Sequence, residues 1–176
     1  MVSETVWAGR FIAVETEGNW EYAVRPRGIA AAVILAIDDG SAGDAGNRHV
    51  LLVEQYRVPI ARRCLELPAG LVGDETAGEA IGTAAARELE EETGYRADRI
   101  ESLGLFCSSP GMTSEAFTLI RATGLTRVAA GGGVDGEDIA VHRVPLAAIG
   151  TFVAERRAAG VAVDAKVLLL LAGGIV

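Results

Sequence analysis

Gly73–Tyr95, GDETAGEAIGTAAARELEEETGY, is the stretch whose reading decides the fold. Ala, Leu, Glu and Arg dominate from Ala77 to Thr93, and Ile81, Ala85 and Leu89 recur every four residues, so a helix with one buried stripe is expected there. Thr76 with Glu79 three residues on has the pattern of a capping box, and Gly94 supplies the stop. Successive helical residues turn by about 100°, which puts Glu88, Glu91 and Glu92 on one arc and sends Glu90 toward solvent. Three clustered carboxylates repel and raise one another's pKa values unless hard divalent cations keep them ionised. Mg²⁺ is the expected ion, with Mn²⁺ as a substitute: such ions prefer oxygen ligands, and Mg²⁺ retains waters and is commonly completed by substrate phosphates.

A bare run of glutamates would read as a solvated helix face. The wider pattern separates the two readings: Gly73, Glu79, Arg87-Glu88-Leu89, Glu91-Glu92 and Gly94-Tyr95 resemble, at their spacings, the Nudix box of the Nudix hydrolases. That resemblance implies a loop-helix-loop that holds metal against a diphosphate, with Glu88, Glu91 and Glu92 as catalytic metal ligands and Arg87 and Glu79 as orienting members. WEYAVR (20–25), EQYRVP (54–59), LELPAGL (65–71), SSPGMTSE (108–115), GEDIAVHRVP (136–145) and VDAKVLLLL (163–171) extend the likeness to the ADP-ribose pyrophosphatase and ADP-sugar diphosphatase subgroup.

The same resemblance implies further roles. Ala69 would offer its backbone carbonyl to a metal. Arg57 and Glu66 would face the substrate, with Arg57 as a phosphate clamp. Trp20 would stack on adenine, with Glu21 at the base edge, Arg25 on a phosphate or the base, and Trp7 as a second aromatic slice. Pro110, fifteen residues after Tyr95, resembles a mark of ADP-ribose specificity, though SPG is also a common turn. Glu115 would touch the distal ribose. Glu137 would be the general base or an added metal ligand, with Asp135 second and Asp138 anchoring the next strand. The implied fold is an α/β/α sandwich with a mixed central sheet, residues 29–176, preceded by an antiparallel hairpin over residues 1–28 that serves base binding and homodimerisation. The implied activity is Mg²⁺-dependent hydrolysis of ADP-ribose or a related ADP-sugar to AMP and a sugar phosphate. The alternatives are another nucleoside diphosphate derivative (GDP-mannose, NADH or a dinucleoside polyphosphate) and a non-catalytic sensor.

Global properties bound these expectations. A chain of 176 residues, 50% hydrophobic, suits one domain with a sizeable core. A net charge of −8 argues against nucleic acid as the ligand, and an acidic chain that handles polyphosphates must borrow positive charge from metal. Cys64 and Cys107 lack metal-ligand spacing and are expected to be reduced thiols of a cytoplasmic protein. The N-terminus has no signal-peptide pattern, and no apolar run reaches the length of a membrane span.

In chain order, strands are expected at Thr5–Val14 and Trp20–Arg25, joined at Glu17-Gly18-Asn19, then at Gly28–Ile37 and Val50–Gln55 around a polar glycine-rich loop. Pro59 and Pro68 fix turns, while Arg62 and Arg63 read as solvated charges. Further strands are expected at Ile100–Phe106 and Glu115–Ala122, followed by the long loop GLTRVAAGGGVDGED and by His142 on a sheet surface. Leu146–Arg157 reads as a helix stopped near Gly160, and Asp164 as the cap of a helix reaching Leu171.

Overall fold

The computed structural model describes residues 2–25, 29–39, 47–73, 78–134 and 136–172. Thr76 and Asp135, and with them the capping box and the second base candidate, lie outside the described residues.

The chain opens with a three-stranded antiparallel meander, β1 (Glu4–Ala8), β2 (Ala13–Glu17) and β3 (Trp20–Val24). This corrects the expected hairpin: the run Thr5–Val14 is two strands, because the Gly9 N–H donates to the Ile12 carbonyl at 2.9 Å and reverses the chain. A Cβ at Gly9 would stand 2.4 Å from the far edge of the exposed Trp7 ring, so glycine lets that ring lie across the turn. The second turn falls on Gly18-Asn19 as expected, with Gly18 at φ 61°.

The main sheet is mixed. Its strands are β4 (Ala30–Asp38), β5 (His49–Arg57), β6 (Arg62–Glu66), β7 (Ala69–Val72), β8 (Tyr95–Cys107), β9 (Ala116–Arg127), β10 (Ala140–Pro145) and β11 (Ala162–Val163). The order is β11-β6-β5-β4-β9-β8, with β7 beside β4 and β10 beside β5. The pairs β4–β9 and β6–β11 are parallel, and the others are antiparallel. β4 pairs with β7 through Ala30–Val33 and with β5 only at Ile37 and Asp38, so its two neighbours on one edge fan apart along its length. The chain crosses between them at Leu67-Pro68, where the Pro68 carbonyl accepts from Ile34 N at 2.8 Å.

Both faces of β4 are covered, which is why AAAVILAID reads as a continuous apolar run. Ala32, Ile34 and Ala36 meet Ala85 and Leu89 of α1 (Ile81–Thr93). Val33, Leu35 and Ile37 meet the other layer: Ile149 and Val153 of α2 (Ile149–Ala158), and Val167 and Leu170 at α3 (Leu168–Leu171). This is the α/β/α sandwich the sequence implied. Each fully buried Leu or Ile stabilises it by about 1.5–3 kcal/mol.

The helix α1 starts four residues later than expected. Gly78 adopts φ 80° and Ala80 is extended, so the chain turns before it coils; no side chain caps the helix, and Glu79 reaches Arg87 at 3.5 Å instead. Its end is as read: Gly94 at φ 74° returns its N–H to the Glu90 carbonyl. Asp164 caps as expected, its carboxylate accepting from Lys166 N at 2.7 Å, although the first turn is 3₁₀. His142 departs from a sheet-surface position: it is half-buried beneath α2 with its ring 5.2 Å from that of Phe152, and its Nε2 stands 3.3 Å from Glu54 without hydrogen-bond geometry. Burial holds its imidazole below the usual histidine pKa.

Candidate active site

Where β5 and β7 fan apart beside β4, a cavity of about 410 Å³ opens against α1. Carboxylates from Glu66, Glu88, Glu92, Glu115 and Glu137 face it, against Arg25, Arg57 and Lys166. Carboxylates therefore outnumber cations in a confined space.

Glu92 is the centre of that imbalance. It is 6% exposed and its carboxylate accepts from Ala69 N at 3.0 Å. Burial first, then the charges of Glu88 and Glu137, push its pKa up to about 8 despite that hydrogen bond. Glu88 lies against the start of β7 so closely that a Cβ on Gly70 would meet its carboxyl carbon at 2.0 Å. Arg87 steadies the helix face from the other side, its NH1 being 3.1 Å from both Glu88 and Glu91. Among the described residues these acids do not close into a three-ligand cluster, because Glu91 turns to Arg87 and lines a neighbouring groove with Glu90 and Gly131. Oxygen-only donors, a like-charge excess and a carboxyl held protonated for want of a counter-charge fit a hard divalent cation.

Arg57 is fixed in its plane by Glu66, which accepts from Nε at 2.7 Å and from NH2 at 2.9 Å. Glu66 raises the pKa of that guanidinium, so it is always charged. Arg25 pairs with Glu115 at 2.5 Å across the cavity mouth.

The loop after β9 folds back over the end of α1. Val128 N and Ala129 N donate to the Gly94 carbonyl, Gly132 N to that of Glu92, and Gly133 N to that of Glu91, satisfying carbonyls at the helix terminus that have no partner within it. The approach is close enough that a Cβ on Gly131 would stand 2.4 Å from the Thr93 carbonyl carbon. Glu137 then enters the cavity, its Oε2 accepting from Val134 N at 3.0 Å.

A second cavity of about 420 Å³ lies between the N-terminal meander and the SSPGMTSE turn, lined by Glu17, Trp20, Tyr22, Pro110, Gly111, Thr113 and Ser114. β3 is stitched to that turn by Ala23 N donating to Met112 O at 2.9 Å and Ser114 N to Ala23 O at 3.0 Å. Ser108 and Glu115 line the first cavity, and Pro110, Gly111, Thr113 and Ser114 line the second, so one turn forms the wall between them.

Of the sequence-derived candidates, Arg25, Arg57, Glu66, Ala69, Glu88, Glu92, Glu115 and Glu137 meet at the first cavity, and Trp20 and Pro110 at the second. Glu21 lies outside the lining of both, whereas Glu17 lines the second. Trp7 is exposed and lines neither. Lys166 escaped the sequence reading: its ammonium stands 5.7 Å over the Phe117 ring and pairs with Asp164. The available signal is a cation directly ahead of the apolar run Val167–Leu171. Arg63 is not a solvated charge either, since it binds buried Glu54 at 3.0 Å and Asp138 at 2.8 Å.

The NUDIX domain family model matches residues 26–160. The chain is 32% identical over 150 residues to the methanol dehydrogenase activator of Bacillus methanolicus, covering 82% of this chain and 75% of that protein. It is 38% identical over 111 residues to the ADP-ribose pyrophosphatase of Saccharomyces cerevisiae, with 59% of this chain and 45% of that protein covered. The ADP-ribose pyrophosphatase of Mycobacterium tuberculosis is 40% identical over 98 residues, 56% of this chain and 43% of that protein. The chain thus spans less than half of the two pyrophosphatases. A solved structure described as an ADP compounds hydrolase superposes with a TM-score of 0.70 at 25% identity, covering 97% of this chain and 90% of that one. The family model spans the carboxylate helix, the loop bearing Glu137 and every strand of the main sheet but β11, and the chain belongs to the Nudix hydrolase family.

Proposed function

We propose that the protein hydrolyses the pyrophosphate linkage of ADP-ribose or a related ADP-sugar, giving AMP and a sugar phosphate, with Mg²⁺ (or Mn²⁺) as cofactor. The observation that carries this reading is the pairing of cavities: a carboxylate-rich chamber and an aromatic pocket share the Ser108–Glu115 wall, an adjacency that suits the two ends of one nucleoside diphosphate sugar. The printed names of the yeast and mycobacterial relatives support it.

Glu88, Glu92, Glu137 and the Ala69 carbonyl would hold the metal, joined by Glu91 on release from Arg87. Once bound, the metal neutralises charge growing on phosphoryl oxygens and acidifies the attacking water. The chain's own work is positional. Arg57, held flat by Glu66, presents its remaining donors to a phosphate, and Lys166 adds a second cation from the opposite layer. Glu137 takes the proton of the attacking water at its carboxylate. Trp20 and Pro110 hold the base, with Glu17 in reach of the base edge. Glu115 releases Arg25 to the diphosphate and accepts from the distal ribose.

Residues 1–28 serve, in this reading, as a base-binding and dimerisation element. Trp7, Phe11 and Trp20 are exposed on a small sheet that a second copy would cover. Deleting the residues before Ile29 is expected to give monomer with a raised KM; an intact dimer with an unchanged KM sinks the assignment. The cysteines, both free, suit a reducing cytoplasmic setting. No helix among the described residues is long and apolar enough to cross a membrane.

The test is phosphate-coupled hydrolysis of ADP-ribose, ADP-glucose, GDP-mannose, NADH and a diadenosine polyphosphate with Mg²⁺, comparing the wild-type chain with Glu92→Gln. Preference for ADP-ribose, lost in the variant, is the expected result. Turnover of another compound alone overturns the substrate, and binding without Mg²⁺-dependent turnover overturns the enzyme in favour of a sensor.

A further inference from the structure

We propose that Arg63 is a positioning residue for Glu137, setting where the loop that bears this carboxylate joins β10. The proposal rests on the reading of Glu137 as the base.

The loop is tethered at its start to the α1 carbonyls as far as Gly133, and a local turn carries it on to Glu137, whose N donates to the Val134 carbonyl at 3.0 Å and whose Oε2 accepts from Val134 N at 3.0 Å; neither bond ties Glu137 to the sheet. What fixes the other end is Arg63 on β6. Its NH1 donates to the Asp138 carboxylate at 2.8 Å and its NH2 to the Asp138 carbonyl at 3.3 Å. The same guanidinium is anchored behind by Glu54, through Nε to Oε1 at 3.0 Å and NH2 to the Glu54 carbonyl at 2.8 Å. Glu54 is 3% exposed and is gripped from α2 by Arg156 at 2.5 Å. A chain of charge-assisted bonds therefore runs from α2 through β5 and β6 to the residue next to Glu137.

The Asp138 carboxylate is 88% exposed, so its ion pair adds little to stability. A contact of low energetic worth that grips both the backbone and the side chain of one loop residue is suited to orientation. The planar fork matters: four bonds to two residues need the fixed geometry of arginine, and a lysine ammonium cannot reproduce them. Loss of Arg63 leaves Glu54 paired with Arg156, so the buried acid keeps a counter-charge and the fold survives.

The experiment compares Arg63→Lys, Glu137→Gln and the double variant, using ADP-ribose with Mg²⁺ for kinetics and amide hydrogen exchange of residues 134–140 in the substrate-free protein. Arg63→Lys is expected to lower kcat about tenfold with KM changed less than twofold, since small displacements of a catalytic group are costly. It should add no further loss in the Glu137→Gln background, and should speed exchange at Glu137 N, which donates to the Val134 carbonyl, several-fold. An equal loss of kcat in both backgrounds marks a merely structural role and overturns the proposal, as does exchange identical to wild type. Glu137→Gln with full activity removes the base assignment and the proposal with it. A crippled Glu137→Gln beside an unimpaired Arg63→Lys removes the proposal alone.

Discussion

Replacing Glu92 by Gln should make the metal-free protein more stable, by an amount that grows with pH. Burial and the neighbouring acids raise the Glu92 carboxyl from the ordinary 4.5 to about 8. Between those values the folded chain holds a proton that the unfolded chain has released, so stability falls as pH rises, by about 1.4 kcal/mol per pH unit. Below 4.5 both states are protonated and no penalty exists; above 8 both are ionised and the full penalty, about 5 kcal/mol, stands. Gln abolishes this titration while keeping an oxygen to accept from Ala69 N. Urea denaturation in EDTA, followed by tryptophan fluorescence at pH 5, 6, 7 and 8, should show the variant gaining about 4 kcal/mol on the wild-type chain across that range. Millimolar Mg²⁺ should then restore the wild-type chain and leave the variant unmoved. Parallel stability curves in EDTA, or a wild-type chain that gains on the variant as pH rises, would refute the reasoning, because Glu92 would then be no protonated carboxyl among like charges.

Other perturbations test the remaining geometry. Gly70→Ala puts a Cβ 2.0 Å from the Glu88 carboxyl carbon, with no left-handed backbone strain, so kcat should drop at least a hundredfold (about 3 kcal/mol of lost transition-state stabilisation) while the melting temperature moves by only a few degrees. Gly94→Ala meets both a left-handed φ of 74° and the Ala129 carbonyl at 2.4 Å, and should cost about 2–4 kcal/mol in denaturation experiments, from backbone strain plus the loss of one or two loop hydrogen bonds. Trp20→Ala should raise KM for ADP-ribose about tenfold with kcat held, since it removes base stacking worth about 1–3 kcal/mol, and an unchanged KM would separate the aromatic pocket from substrate binding.

How far the sequence could be read follows from the range of the interactions involved. Glu88 and Glu92 stand one helical turn apart, so local periodicity alone brought them to one face, and the apolar stripe Ile81, Ala85 and Leu89 fixed which face was buried. Gly94 and Asp164 act on their own neighbours and were equally visible. The misreadings share another cause. The helix begins later than composition suggests because Ala77, Glu79 and Ala80 are good helix formers, whereas Gly78 is a poor one and its left-handed φ turns the chain before the first helical residue. Gly9 hid inside an apolar alternation that continued on both sides of the turn it makes. Arg63 and Lys166 take their roles from partners on other elements: Asp138 lies 75 positions from Arg63, and Phe117 lies on β9, far from Lys166 in the chain. Nothing in the flanking residues reports such pairings.

The place of β4 in the sheet also bears on how the chain is made. Its whole inner edge, Ala31 to Ala36, is completed by the parallel strand β9, which follows roughly 90 residues later. At about 5–20 residues synthesised per second, an apolar strand leaves the ribosome some 4–18 s before its main partner exists. During that interval AAAVILAI has the composition and the open edge of an aggregation-prone segment, with the charges of Asp38 and Asp39 at one end as gatekeepers. The strand that positions the catalytic crevice in the finished molecule is thus the one a nascent chain must keep from its neighbours longest.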